Sequence, residues 1–230
     1  MLSPEEWSVI ELSLRVALIA MLWTLPVAVG LAWLLARRDF FGKSLLDALV
    51  HLPLVLPPVV LGYGLLVLLG RKGPIGAWLN DWFGITLAFT WQGAAIAAGV
   101  AGLPLAVRAI RLSLDAVDRR LEQAARSLGA GKLRVFATIT LPLALPGVLA
   151  GAILSFARGL GEFGATITFV ADIPGETRTL SLAVHTLLQV PGGEAAAIRL
   201  SMISIVLAFL ALMGSEYLNR RLAKRLGTRP

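Results

Sequence analysis

Five apolar runs of membrane length constrain this chain more than any other feature. A hydrocarbon core offers backbone polar groups no partner outside the protein, so only helices and closed barrels cross it. Each run is measured against the roughly 20 residues a helix needs to span the bilayer core. The runs cover residues 16–36, 45–70, 85–110, 139–157 and 198–218. The second carries Pro53, Pro57 and Pro58, which remove backbone donors and predict a bent helix. Arg199 interrupts the fifth early and Glu216 sits near its end. Residues 163–171 are too short to span, and 180–190 read as a helix outside the membrane ending at Pro191-Gly192-Gly193. With 57% hydrophobic and 15% charged residues and a mean hydropathy of +0.80, a soluble domain of 230 residues is excluded. The expected fold is all-α: one polytopic transmembrane bundle of five spans over residues 1–230, without internal repeat or low-complexity segment.

Five spans put the termini on opposite sides, and charge chooses between the two orientations. Of the 21 Lys and Arg residues, three fall in 37–47, seven in 108–138 and five in 216–230, accompanied by only 6 of the 14 acids. Basic residues accumulate in cytoplasmic loops, so the N-terminus is expected outside and the C-terminus inside. Arg37-Arg38, Arg119-Arg120 and the tail Arg220-Arg221-Lys224-Arg225 carry this bias. The net charge of +7 therefore reflects membrane orientation and not a nucleic-acid surface. Glu5, Glu6 and Glu11, with no early Lys or Arg, are the wrong charges for a cleavable signal, so the first span is expected to be retained. With no cysteine there is no disulfide or thiolate site, and His51 and His185, far apart in sequence and on opposite predicted sides of the membrane, are not expected to build a metal site.

The longest polar stretch, 113–138, lies on the predicted inner side. Within it Gln123-Ala124-Ala125 is followed, after three intervening residues, by Gly129 and, after nine more, by Ile139-Thr140-Leu141-Pro142. Asp115 is the expected N-cap of a short helix, with Asp118 three residues on. Val117, Leu121, Ala124, Ala125 and Leu128 fall near one face, Gly129 stops the helix, and a second short helix is expected over 132–138. A small-residue face on a helix lying along the membrane surface lets another protein approach closely; an ordinary interfacial amphipathic helix is the plainer alternative.

The spacing resembles the signature loop of binding-protein-dependent ABC transporter permeases, written EAA, three residues, G, nine residues, I-x-L-P. Every element is present except the first, Gln123 standing for Glu, with Glu122 one position early. The resemblance implies that the loop fits a cleft on a cytoplasmic nucleotide-binding subunit. The contact would fall on Gln123, Ala124, Ala125 and Gly129, with Ile139, Leu141 and Pro142 opening the next span and Glu122 covering for the missing glutamate. No GxxxxGK[ST] loop occurs in the chain, so the ATPase, with its ATP and Mg, is expected on a separate subunit and no cofactor on this one.

A second resemblance covers nearly the whole chain. The stretch from Arg158 through Gly161-Glu162-Phe163-Gly164-Ala165-Thr166, leading into Ile173-Pro174-Gly175-Glu176-Thr177-Arg178-Thr179-Leu180, is similar to oxyanion permeases, and closer to molybdate than to sulfate permeases. Val55 to Gly64 in the second span and the wording Leu121-Glu122-Gln123-Ala124-Ala125 point the same way. This implies a bacterial inner-membrane importer of molybdate: a homodimer in lipid, two ATPase subunits below and an extracytoplasmic molybdate-binding protein above. Sulfate and tungstate permeases remain open within the family. A membrane-embedded enzyme or non-transport complex subunit is the alternative from another class, though an enzyme needs convergent ionisable groups that the spans lack. Asp172 stands where asparagine is common and is expected to add negative charge outside; the additional N-terminal span of some relatives is not expected here, which leaves five spans.

Pathway candidates are Gly62, Tyr63, Gly64, Gln92, Gly161, Gly164 and Thr166, for each of which helix packing is the plainer role. Arg158 and Glu162, four apart near a membrane boundary, read equally as an interfacial ion pair or as a gate or binding-protein contact.

Overall fold

The structure, a computed structural model, describes residues 2–226, with side chains through residue 214 and at Tyr217. The side chains of Glu216 and of the basic tail Arg220, Arg221, Lys224 and Arg225 lie outside the described residues.

Among the described residues, three helices are long and apolar enough to cross a membrane unbroken: α1 (Pro4–Arg37), α5 (Trp91–Ala116) and the Glu194–Gly214 part of α12 (Glu194–Leu226). Two bent pairs bring the total to five if each crosses once. In the first, α2 (Lys43–Val55) turns through 117° into α3 (Pro58–Leu69). The cause is local. Pro57 pushes Leu56 into extended backbone (φ −67°, ψ 138°), and Pro58 starts the next helix where its missing N–H is not needed. In the second, the segment from α7 (Lys132–Val135) through α8 (Leu141–Leu143) bends by 71° into α9 (Leu145–Leu160). Between α7 and α8 runs one π-helical turn, Phe136–Thr140, closed by the Leu141 amide donating to Phe136 O. The expected short helix over 132–138 is thus a single α-turn continued by a π-turn.

Two expected boundaries move for reasons of capping. A capping box adds the first 12 residues to α1: Ser3 Oγ accepts from the Glu6 amide at 3.1 Å, and Glu6 Oε2 accepts from the Ser3 amide at 2.7 Å. At α5 the start shifts from 85 to Trp91, because Phe89 takes φ 61° and Thr90 Oγ1 caps the Gly93 amide at 3.2 Å.

The remaining elements are α4 (Pro74–Phe83), α6 (Arg119–Ser127), α10 (Gly164–Val170) and α11 (Leu180–Leu187). Helices α1, α5 and α9 form the centre and meet through small residues: Ala20 packs with Ala94, Ala97 and Ala98, Ala28 and Ala32 pack with Ala106, and Gly151 of α9 lies against Ala106, all essentially buried. Apolar lipid supplies little hydrophobic drive between helices, so close backbone approach is what holds such a bundle together. By contrast only 11% of the apolar window of α12 is buried within the chain, leaving that helix to lipid or a second subunit. Arg199, inside α12, is neutralised by Glu6 of α1 at 2.8 Å, which explains how the helix tolerates it.

Candidate functional site

The signature loop folds as the two-part element its spacing predicts, with different caps. Asp118, not Asp115, starts α6, its Oδ1 accepting from the Arg120 amide at 2.9 Å. Asp115 stays in the last turn of α5, where Arg111 approaches it at 3.9 Å and Asp47 at 2.9 Å. At the other end Gly129 has φ +86°; its amide donates to Arg126 O at 2.9 Å and the Ala130 amide to Ala125 O at 3.0 Å. This pair of bonds is the Schellman closure, and its left-handed residue favours glycine.

Helix α6 turns its apolar and small residues outward. Gln123 and Ala124 are exposed, Ala125 is half-buried, and Leu121 and Leu128 are 49% and 89% exposed. This face does not pack on the chain itself. Instead Glu122 points inward and is only 8% exposed. Its Oε1 accepts from Arg37 Nε at 3.1 Å and from Thr140 Oγ1 at 2.9 Å. Arg37 also donates to Val117 O at 3.2 Å, and Arg119 to Ala36 O at 3.0 Å. One carboxylate thus joins the end of α1, the α5–α6 corner and the first residues of the fourth span. Placed here, Glu122 braces the loop from within, while Gln123 lies on the exposed side of the helix. Sequence reading missed Arg37 and Thr140 as its partners, which lie 85 and 18 residues away. The π-turn adds a residue just before Leu141 and carries Thr140 into this buried position. Ile139 and Pro142 flank it.

The pathway candidates separate into two groups. Gly62 and Gly164 mark the packing of α3 on α10. A Cβ at Gly62 would lie 2.5 Å from Ala165 O, and one at Gly164 2.5 Å from Pro58 Cβ. Thr166 is buried beside them on α10. Tyr63 is 61% exposed on α3, Gly64 has no neighbour within 4 Å of an added Cβ, and Gln92 is exposed in the first turn of α5.

Arg158 Nη1 lies 2.6 Å from Glu162 Oε2, while Glu162 Oε1 accepts from the Ala165 amide at 2.9 Å. With the Glu162 side chain 1% exposed, the pair ties the end of α9 to the start of α10. Asp172, in the loop after α10, does not add free negative charge. Its Oδ1 accepts from Arg178 at 2.8 Å and its Oδ2 from Thr186 at 2.7 Å. Burial pushes its carboxyl up, but the bonds from Arg178 and Thr186 outweigh that and hold it below the ordinary aspartate range.

Comparison with known proteins agrees with this geometry. Residues 25–224 match the family model described as binding-protein-dependent transport system inner membrane component. The chain is 60% identical over 226 residues to the molybdenum transport system permease protein ModB of Escherichia coli (strain K12), covering 98% of this chain and 99% of that one. It is 57% identical to the ModB of Haemophilus influenzae, covering 96% and 97%. Against the sulfate transport system permease protein CysT of Escherichia coli (strain K12) identity falls to 34%, over 97% of this chain and 80% of that one. The fold is similar to that of a chain in a bacterial alginate ABC transporter crystallised with an alginate pentasaccharide-bound periplasmic protein, at a TM-score of 0.75 and 16% identity, covering 96% of this chain and 81% of that one. By its family model, its near full-length relatives and its apolar helices, this chain belongs to the family of multi-pass inner-membrane components of binding-protein-dependent transport systems.

Proposed function

We propose that this chain is the permease subunit of an ATP-driven molybdate importer, that it works as a homodimer, and that two separate ATPase subunits supply ATP and Mg chemistry at the α6 surface. A binding protein on the opposite side delivers the ion. The observation that carries the coupling role is the outward display of Gln123, Ala124 and Leu128 on a helix whose inner side is pinned by Glu122. A rigid, exposed, small-residue surface suits insertion into a cleft on another protein. Molybdate as the ion is supported by the identity of 60% to a molybdenum permease against 34% to a sulfate one.

The coupling role is tested with Ala124→Trp. Ala124 is exposed and makes no bond that the indole would break, so the variant is expected to insert and to keep its thermal midpoint within a degree or two. Reconstituted with its ATPase and binding protein, it is expected to import molybdate more than tenfold slower than the unmodified chain, because an indole cannot enter a cleft shaped for a methyl group. Import at the unmodified rate would remove α6 from the ATPase contact.

The orientation that follows places α6 in the cytoplasm and the α3–α4 turn outside. The chain lacks cysteine, so single cysteines report cleanly. Lys72→Cys, exposed beyond α3, is expected to react with an impermeant maleimide on intact cells, and Ser127→Cys only after permeabilisation. The opposite pattern overturns the orientation.

A further inference from the structure

A bowl of about 240 Å³ lies between the end of α1, α6 and the start of α7, with Gln123 also in its lining. Its wall holds five cations, Arg37, Arg38, Arg119, Arg126 and Lys132, against one carboxylate, Glu122. Arg119, Glu122 and Arg126 recur at helical spacing and so share one side of α6. Arg37 already pairs with Glu122 at 3.1 Å. The other four cations have no carboxylate within 4.0 Å among the described residues; Asp39, the next acid along the chain, is taken by Lys43 at 2.9 Å. Arg119 donates to a carbonyl and Arg38 lies over the Trp33 ring at 5.6 Å, which hold the two guanidinium groups without neutralising them. Like charges fixed around a concavity repel one another and raise the local concentration of anions, and guanidinium groups match the oxygens of a tetrahedral anion.

The bowl also sits where a span leaves the membrane. Trp33, in its wall, stacks edge-on against Phe136 at 5.8 Å, and the next loop exposes Phe40 and Phe41. Aromatic residues beside a cluster of Lys and Arg at the end of a membrane helix mark headgroup depth. We propose that this bowl is a binding site for a tetrahedral oxyanion, filled in the membrane by the phosphate of an anionic phospholipid. Its assignment to the inner leaflet rests on the orientation given above; the site itself does not.

The test uses the assembled transporter, permease with ATPase, in neutral phosphatidylcholine nanodiscs. Native mass spectrometry follows bound phosphatidylglycerol on titration, with inorganic phosphate and molybdate in separate arms. Arg126→Gln with Lys132→Gln removes two cations of the bowl and leaves the Glu122–Arg37 pair intact. Arg71→Gln with Lys72→Gln removes two exposed cations beyond α3 as a control for net charge. Phosphatidylglycerol affinity is expected to fall about tenfold or more in the first variant, since each basic side chain near a charged surface contributes roughly a fivefold factor. The control is expected to bind as the unmodified chain does. Equal sensitivity for inorganic phosphate at similar affinity supports the oxyanion site and makes a soluble ion its source in place of the lipid. Equal losses in both variants, or none in either, overturn the site. So does an assembled transporter that binds no anion while the first variant captures its ATPase poorly, because the bowl is then a protein contact. Failure of the unmodified transporter to import molybdate bears on the transport reading alone and leaves this binding measurement intact.

Discussion

Glu122→Ala is expected to lower permease stability by about 3–5 kcal/mol, the usual effect of stranding one partner of a buried ion pair. Arg37, whose side chain is 7% exposed, would keep its charge with only the Val117 carbonyl beside it, and Thr140 would lose its acceptor. Because these contacts join α1, α6 and the fourth span, the loosened helix is also expected to hydrolyse ATP without proportionate transport. Glu122→Gln keeps the shape and one acceptor, so a smaller loss, about 1–3 kcal/mol, is expected. Pairing Glu122→Leu with Arg37→Met is expected to recover most of the stability, since a buried pair replaced by apolar groups is often neutral. Thermal midpoints of the detergent-purified permease, with ATP hydrolysed per ion imported in liposomes, measure both effects. An unchanged midpoint in Glu122→Ala, with weakened ATPase capture, would show that the carboxylate serves the partner directly.

Gly62→Val is expected to separate α3 from α10. The added Cβ would lie 2.5 Å from Ala165 O and 2.8 Å from Ala165 Cα, both backbone atoms that cannot turn aside. Overpacking of this kind costs about 1–3 kcal/mol, and a rigid neighbour places valine at the upper end. Gly64→Ala is the comparison: nothing lies within 4 Å of its Cβ, so stability is expected to hold or rise by up to about 1 kcal/mol from helix propensity. Lost import in Gly64→Ala at full stability would place that residue on the ion's path, while Gly62 acts through packing. An undiminished midpoint in Gly62→Val would refute the close α3–α10 contact.

Where local chemistry decided the outcome, the chain could be read directly. Pro57 and Pro58 forced the break in the second span, and Gly129 stopped α6 because the Schellman closure needs a left-handed residue. Apolar runs of about 20 residues could only be helices, since lipid offers the backbone no outside partner and the strand of a closed barrel needs only about 10. Capping limited this reading: Asp115 and Asp118 are both chemically able to cap a helix, and only the continuation of α5 through Ala116 assigns the cap to Asp118.

The sequence by itself determined the class of fold, the bend in the second span and the place of the signature loop, because hydropathy, proline geometry and glycine conformation act over a few residues. Tertiary structure alone decided which side of α6 faces outward. Apolar periodicity identifies a face but does not say whether that face meets the protein or the solvent, and here the acidic Glu122 is the residue that turns in, held by Arg37 and Thr140. The same holds for the glycines of α3. Gly62 and Gly64 are indistinguishable in sequence, and only the arrival of α10 against one of them makes it a packing position. Contacts between residues far apart in the chain depend on where whole helices come to rest, which no short stretch encodes.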